Sequence, residues 1–76
     1  PFNPFVKFDF SLPSISEVNV SVYDIHGNHT ETLLNGVKTA GYYNVTWNAD
    51  SHPTGIYFIQ FRSGYVIKTM KVILIK

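Results

Sequence analysis

Apolar and polar residues alternate along most of this 76-residue chain, and no segment has a convincing helical spacing. Residues 17–24, EVNVSVYD, are the clearest case, because every second residue from Val18 to Val22 is a valine and the residues between them are polar. Successive side chains of a strand point to opposite faces. The pattern therefore predicts a strand with its valines in a core and its polar residues, Ser21 among them, in solvent.

The same alternation predicts five further strands, separated by residues that favour turns. The predicted strands are residues 6–12, 29–34, 41–48, 56–62 and 65–76. Gly27 lies in the first predicted hairpin turn, Asn35-Gly36 is predicted to end the strand 29–34, and Ser63-Gly64 is predicted to be a two-residue hairpin loop. Residues 49–55, ADSHPTG, read as a polar loop.

Six short strands with turns between them predict an all-β fold, and specifically a small antiparallel β-sandwich of about six to seven strands. Such a sandwich is immunoglobulin-like or fibronectin III-like, and residues 1–76 form one domain. The chain is 45% hydrophobic and 16% aromatic and has no cysteine, so a compact core without disulfides is expected. We expect Phe8, Val20, Trp47 and Ile59 in that core.

The last predicted strand departs from clean alternation. Met70, Val72 and Leu74 fall on one face, yet Ile73 and Ile75 give the other face an apolar character as well. Strands that are apolar on both faces are usually covered on both faces. Either a loop or a sheet corner covers Ile73 and Ile75, or the two isoleucines form a contact strip for a partner.

No catalytic residue, metal ligand or cofactor site is predicted. The five acidic residues are dispersed, and no serine lies in a strained nucleophile elbow. The three histidines, His26, His29 and His52, lack the partners and spacing of a zinc site and are expected to be exposed loop residues. The chain is therefore expected not to be an enzyme.

Charge and hydropathy exclude two further classes of protein. The net charge is +1, which is too small for the electrostatic footprint of a nucleic-acid-binding domain. No stretch approaches the roughly 20 apolar residues that a transmembrane helix needs. We expect neither a nucleic-acid partner nor a transmembrane segment.

Three aromatic residues, Tyr42, Phe58 and Tyr65, fall on faces predicted to point outward. Aromatic side chains of this kind can form a sugar-binding surface. Packing against another domain, or between neighbouring strands, explains them equally well.

Several motifs in order resemble one known family. The chain is similar to the C-terminal sorting domains of type IX secretion cargo, of the type A class, and to the immunoglobulin-like domain of flagellar hook-capping proteins. The motifs are PFNPF at 1–5, VNVSVYDIHGN at 18–28, LLNGVKTAGYYNVTWNADSHPTGIYFIQF at 33–61 and KTMKVILIK at 68–76.

The resemblance implies a non-catalytic secretion signal at the C-terminal end of a longer secreted protein. In that family an N-P-F segment marks the junction with an upstream cargo domain, and the outer-membrane type IX export machinery recognises the tail. The cargo passes through the periplasm and is released or attached to the cell surface. The residues that match the recognition element are Lys68, Lys71, Val72, Ile73, Leu74, Ile75 and Lys76.

Two other functions remain open from the residues alone. The domain could be a structural unit of an extracellular or flagellar assembly that self-associates through edge strands. It could also be a carbohydrate-binding accessory module on a secreted hydrolase, which would use the outward aromatic residues.

Overall fold

A computed structural model describes residues 4–76, so Pro1 to Asn3 of the predicted junction motif lie outside the described residues. The described part consists of six strands joined by turns and loops, and it contains no helix. The strands are β1 Phe5–Leu12, β2 Ser16–Asp24, β3 His29–Lys38, β4 Gly41–Asn48, β5 Gly55–Ser63 and β6 Val66–Leu74. The predicted all-β class is confirmed.

The strands form two antiparallel sheets that pack as a small sandwich. One sheet has the strand order β3-β2-β5-β6, and the other consists of β1 and β4. In the smaller sheet Val6 lies opposite Trp47 and Phe8 lies opposite Val45, so apolar side chains of both strands share its inner face. The predicted sandwich architecture is confirmed.

The core lies between the two sheets and contains the residues that alternation assigned to it. Val20 and Trp47 are fully buried, and Ile59 is only 2% exposed. The half-buried Phe8 packs against this core. Phe10 stacks on Tyr43, with ring centroids 5.3 Å apart, and also contacts the ring of Phe61. Aromatic packing of this kind buries a large apolar area per residue, which a chain of this size needs.

Ser21 is an exception to the predicted alternation. Its side chain lies on the polar face of β2, but the residue is only 2% exposed. β2 lies between β3 and β5, opposite Thr32 on one side and Gln60 on the other, so neighbouring side chains cover the hydroxyl. The hydroxyl donates a hydrogen bond to Oδ1 of Asn19 at 2.7 Å, and this satisfies the buried polar group.

Asn35-Gly36 does not end the third strand, as the turn dipeptide predicted. β3 continues to Lys38, because Gly36 lies opposite Val18 and Lys38 lies opposite Ser16 in the ladder with β2. Gly36 has φ +143°, a conformation that glycine adopts at no steric cost, so the strand passes through it. The connection to β4 is made by Thr39 and Ala40 instead.

The hairpin between β5 and β6 is shifted by one residue from its predicted position. Ser63 pairs with Val66, so the two loop residues are Gly64 and Tyr65. Gly64 has φ +57° and therefore supplies the left-handed conformation that a two-residue loop needs. The predicted turn at Gly27 is confirmed, with φ +83°.

Within residues 4–76 there is no helix with the length and apolar character that crossing a membrane would require.

Candidate functional site on the terminal strand

One end of β6 is fixed firmly to the sandwich. β6 pairs with β5 along its whole length, from Ser63 opposite Val66 to Gly55 opposite Leu74. Leu74 is only 3% exposed, and the half-buried Val72 packs against the core. Of the residues that the family resemblance assigned to recognition, these two therefore face inward and hold the strand in place.

Ile73 and Ile75 are exposed. The exposed fractions are 59% for Ile73 and 73% for Ile75, so the explanation that a loop or a sheet corner covers them is wrong. β6 is the edge of its sheet, and its outer face is open at this end. The two isoleucines are thus available for contact with another molecule.

The outer face of the larger sheet is apolar beside Ile73. Ile73 lies opposite Ile56 on β5, and Lys71 lies opposite Phe58, whose other neighbour is Tyr23 on β2. Side chains directly opposite each other on one face lie within contact distance. We call Ile56, Phe58 and Ile73 the outer patch; with Ile75 beyond the strand end, it forms an apolar surface edged by Lys71.

The end of the chain is attached to the loop between β4 and β5. The backbone N–H of Lys76 donates to Oγ1 of Thr54 at 3.1 Å, and its Nζ donates to the backbone carbonyl oxygen of Asp50. Lys68 and Lys71 are exposed along the strand itself. The contacts of Lys76 hold Ile75 in place although Ile75 lies beyond the last paired residue.

Positive charge is concentrated in residues 51–76, which contain β5 and β6. Residues 51–76 carry four basic residues, Arg62, Lys68, Lys71 and Lys76, and no acidic residue, which gives a formal charge of +4. Residues 1–50 carry two basic and five acidic residues, a formal charge of −3. The small net charge of the whole chain therefore conceals a strong separation between its two parts.

The three candidate surface aromatics do not form one surface. Tyr42 is on β4 of the smaller sheet and is almost fully exposed. Phe58 is half-buried on the outer face of the larger sheet, and Tyr65 lies in the loop between β5 and β6. A sugar-binding platform built from all three is therefore not assembled.

His52 differs from the expectation of an exposed loop histidine. Its ring packs against Trp47 and Tyr57, and its Nε2 lies 3.0 Å from Oε1 of Glu31. His26 and His29 are exposed, as predicted. Across residues 4–76 there is no group of three or more potential ligands that could hold a metal ion.

Sequence reasoning overlooked two of these features. The separation of charge could have been found by counting charged residues on either side of Asp50. The contact between Glu31 and His52 could not have been, since 21 residues separate them and no motif in the sequence indicates that their side chains meet.

A family model described as "Secretion system C-terminal sorting domain" matches residues 1–76. A domain of this kind is the C-terminal signal of type IX secretion cargo, which passes through the periplasm to the cell exterior or the cell surface. No curated protein and no solved structure matches the chain. The family match covers every predicted strand and the terminal motif, and the chain belongs to the family of secretion-system C-terminal sorting domains.

Proposed function

We propose that β6 and the two residues after it are the part of this sorting domain that the outer-membrane export machinery recognises. The exposure of Ile73 and Ile75 carries the proposal, because large apolar side chains are displayed here instead of being covered. Lys71 lies on the same outer face as Ile73 and adds a positive charge that a receptor can recognise.

The recognition residues divide into two roles. Lys71, Ile73 and Ile75 contact the receptor directly, whereas Val72 and Leu74 hold the strand on the core. Lys76 fixes the end of the chain to the loop at residues 49–54 through its contacts with Thr54 and Asp50. A receptor would thus meet a pre-ordered surface, which lowers the entropy lost on binding.

The domain belongs at the C-terminal end of a cargo protein, and the cargo supplies whatever activity the exported protein has. Sorting domains are generally non-catalytic, and we infer that this one takes no part in chemistry. No observation favours the flagellar assembly or the carbohydrate-binding module.

An export assay tests the role of the exposed isoleucines. Residues 1–76 are fused to the C-terminus of a periplasmic reporter in a host that has type IX secretion. We expect the double variant Ile73→Glu with Ile75→Glu to leave the reporter in the periplasm. The neutral pair Ile73→Thr with Ile75→Thr removes apolar area without adding charge and should reduce export in the same direction.

The matched control is Ile15→Glu with Val37→Glu. Each of these residues is 66% exposed, so the pair changes the same number of exposed apolar side chains at places away from β6. Export of the control should equal that of the unaltered domain. Normal export of the Ile73 and Ile75 variants, with folding verified by NMR, would refute the proposed recognition surface.

A further inference from the structure

The loop at residues 49–54 contacts both edges of the larger sheet. In the described part of the chain that sheet has the order β3-β2-β5-β6, so β3 and β6 are its edge strands. His52 of the loop reaches Glu31 on β3. At the other edge, Thr54 of the loop accepts a hydrogen bond from the backbone N–H of Lys76, which follows β6. A loop that connects β4 to β5 therefore links two strands that are not neighbours.

The side of the loop that faces the core is attached at three residues. Ala49 is fully buried, and its backbone N–H donates to the carbonyl oxygen of Pro4 at 2.8 Å. The ring of His52 packs against Tyr57, with ring centroids 5.8 Å apart. The hydroxyl of Tyr57 in turn donates to the carbonyl oxygen of Pro53 at 2.8 Å. These contacts give the loop a defined position on the sandwich.

Glu31 fixes the position of His52 within this loop. Its Oε1 lies 3.0 Å from Nε2 of His52, and the same oxygen accepts the indole N–H of Trp47. Because Trp47 is fully buried, its indole holds the carboxylate in place. Hydrogen bonds to a carboxylate are stronger than those between neutral groups. The carboxylate therefore determines where the imidazole lies, and with it the second half of the loop.

The opposite side of the loop holds the residues that follow β6. The backbone N–H of Lys76 donates to Oγ1 of Thr54 at 3.1 Å, and its Nζ donates to the carbonyl oxygen of Asp50. Leu74 is the last residue of β6. Ile75 thus lies between a residue that the sheet holds and a residue that the loop holds. Chain beyond the end of a strand is poorly ordered unless such contacts tie it down.

We propose that Glu31 is a positioning residue for the recognition surface. Through His52 and the loop at residues 49–54, it keeps Ile75 and Lys76 in the conformation that a receptor binds. The apparent affinity of a receptor falls with the fraction of molecules in which its binding site is ordered. The importance of this order for export rests on the function proposed above, whereas the order itself does not.

Backbone ¹⁵N relaxation of the 76-residue chain tests the first step, the control of order by Glu31. Glu31→Ala removes the carboxylate but also leaves the indole of Trp47 without its acceptor. His52→Phe is the second variant, because it keeps an aromatic ring in the same place and removes only the nitrogen that meets Glu31. The order parameters of the Ile75 and Lys76 amides should be near about 0.85 in the unaltered chain and below about 0.6 in both variants.

Thr54→Val tests the second step, the attachment of Lys76 to the loop. Valine has nearly the shape of threonine and lacks the hydroxyl that accepts the Lys76 N–H, so the order parameter of Lys76 should again fall below about 0.6. The matched control is Thr46→Val, which makes the same exchange at an exposed site on β4 and should leave the order unchanged.

Two further variants separate positioning from a general loss of stability. His52→Gln keeps a side-chain N–H donor that can reach Glu31, and it should restore order that His52→Phe removes. Ile59→Val weakens the buried core and should leave Ile75 and Lys76 as ordered as in the unaltered chain.

The export assay then measures what the order contributes. His52→Phe and Thr54→Val should each lower the exported fraction of the reporter at least about twofold. His52→Gln and Thr46→Val should export like the unaltered domain. Normal export of the Ile73 and Ile75 variants would refute the recognition surface, and the relaxation data would still decide whether Glu31 orders the residues after β6.

Three results would overturn the proposal. The first is that Ile75 and Lys76 are already mobile in the unaltered chain. The second is that their order is unchanged in His52→Phe or that Lys76 stays ordered in Thr54→Val. The third is normal export of a folded variant that has lost this order.

Discussion

Trp47 donates its indole N–H to Oε1 of Glu31, with 2.7 Å between the two atoms. Trp47 is on β4 of the smaller sheet and Glu31 is on β3 of the larger sheet, so this hydrogen bond joins the two layers along one side of the sandwich. His52 reaches the same carboxylate oxygen, and since that oxygen accepts, the imidazole donates from Nε2. On the opposite side, a groove of about 530 Å³ lies between β1 and β6.

Replacing Glu31 should test how much this bond contributes. In Glu31→Ala the fully buried indole N–H loses its partner, and we expect a loss of about 1–3 kcal/mol in the free energy of unfolding. Glu31→Gln keeps an oxygen acceptor and should lose less. Urea denaturation measures both, with the exposed Glu17→Ala as a control expected within about 0.5 kcal/mol of the unaltered chain. Equal stability of Glu31→Ala and the control would show that the bond contributes nothing.

Two isoleucines on neighbouring strands offer a matched test of burial. Ile59 is 2% exposed and Ile73 is 59% exposed. Removing one methylene from a buried site leaves a cavity, so Ile59→Val should lower the free energy of unfolding by about 0.5–1.5 kcal/mol. Ile73→Val should change it by less than about 0.5 kcal/mol. The denaturation midpoints of the two variants measure both changes in stability. A larger loss of stability in Ile73→Val than in Ile59→Val would mean that Ile73 contributes to the fold.

Alternation predicted most of the fold because it is a local property of each strand. It placed Val20, Trp47 and Ile59 in the core correctly. It misplaced Ser21 because the burial of an outward-facing serine depends on the side chains of both neighbouring strands. The predicted turn at Asn35-Gly36 failed for a similar reason, since ladder partners on β2, distant in sequence, hold the dipeptide in β3.

The candidate site was predictable only in part. The apolar character of Ile73 and Ile75 is visible in the sequence, but whether anything covers them depends on the position of β6 in its sheet. The groove depends on the order of the strands, because it exists where β1 and β6 both lie at edges. The alternation of apolar and polar residues indicates which side of a strand is apolar, but it does not indicate which strands are neighbours.

The loop between β5 and β6 gives a test of backbone conformation. Gly64 has φ +57°, and a Cβ added there would meet no other atom within 4 Å, so only the conformational cost applies. Gly64→Ala should destabilise the domain by about 1 kcal/mol, and Gly64→Asn by less, because asparagine tolerates this conformation better. Gly55→Ala is the control, since its Cβ would make an ordinary contact with Tyr57 at 3.7 Å. Thermal denaturation ranks the variants, and a neutral Gly64→Ala would contradict the argument.

The turn between β2 and β3 should make stability depend on pH. The Asp24 carboxylate accepts hydrogen bonds from the backbone N–H groups of Asn28 and His26. These bonds, above all the one from Asn28, lower the pKa of Asp24 below its ordinary value of 3.8, although desolvation partly opposes the shift. A lowered pKa means that the folded state favours the charged form. The stabilisation is therefore fully present above pH values near 3.8 and is lost as the pH falls through the folded-state pKa. In Asp24→Asn an oxygen acceptor remains but the titration disappears. The difference in urea midpoint between the unaltered chain and this variant should be largest near neutral pH and shrink on acidification, whereas a constant difference across the acid range would show that the Asp24 charge does not stabilise the turn.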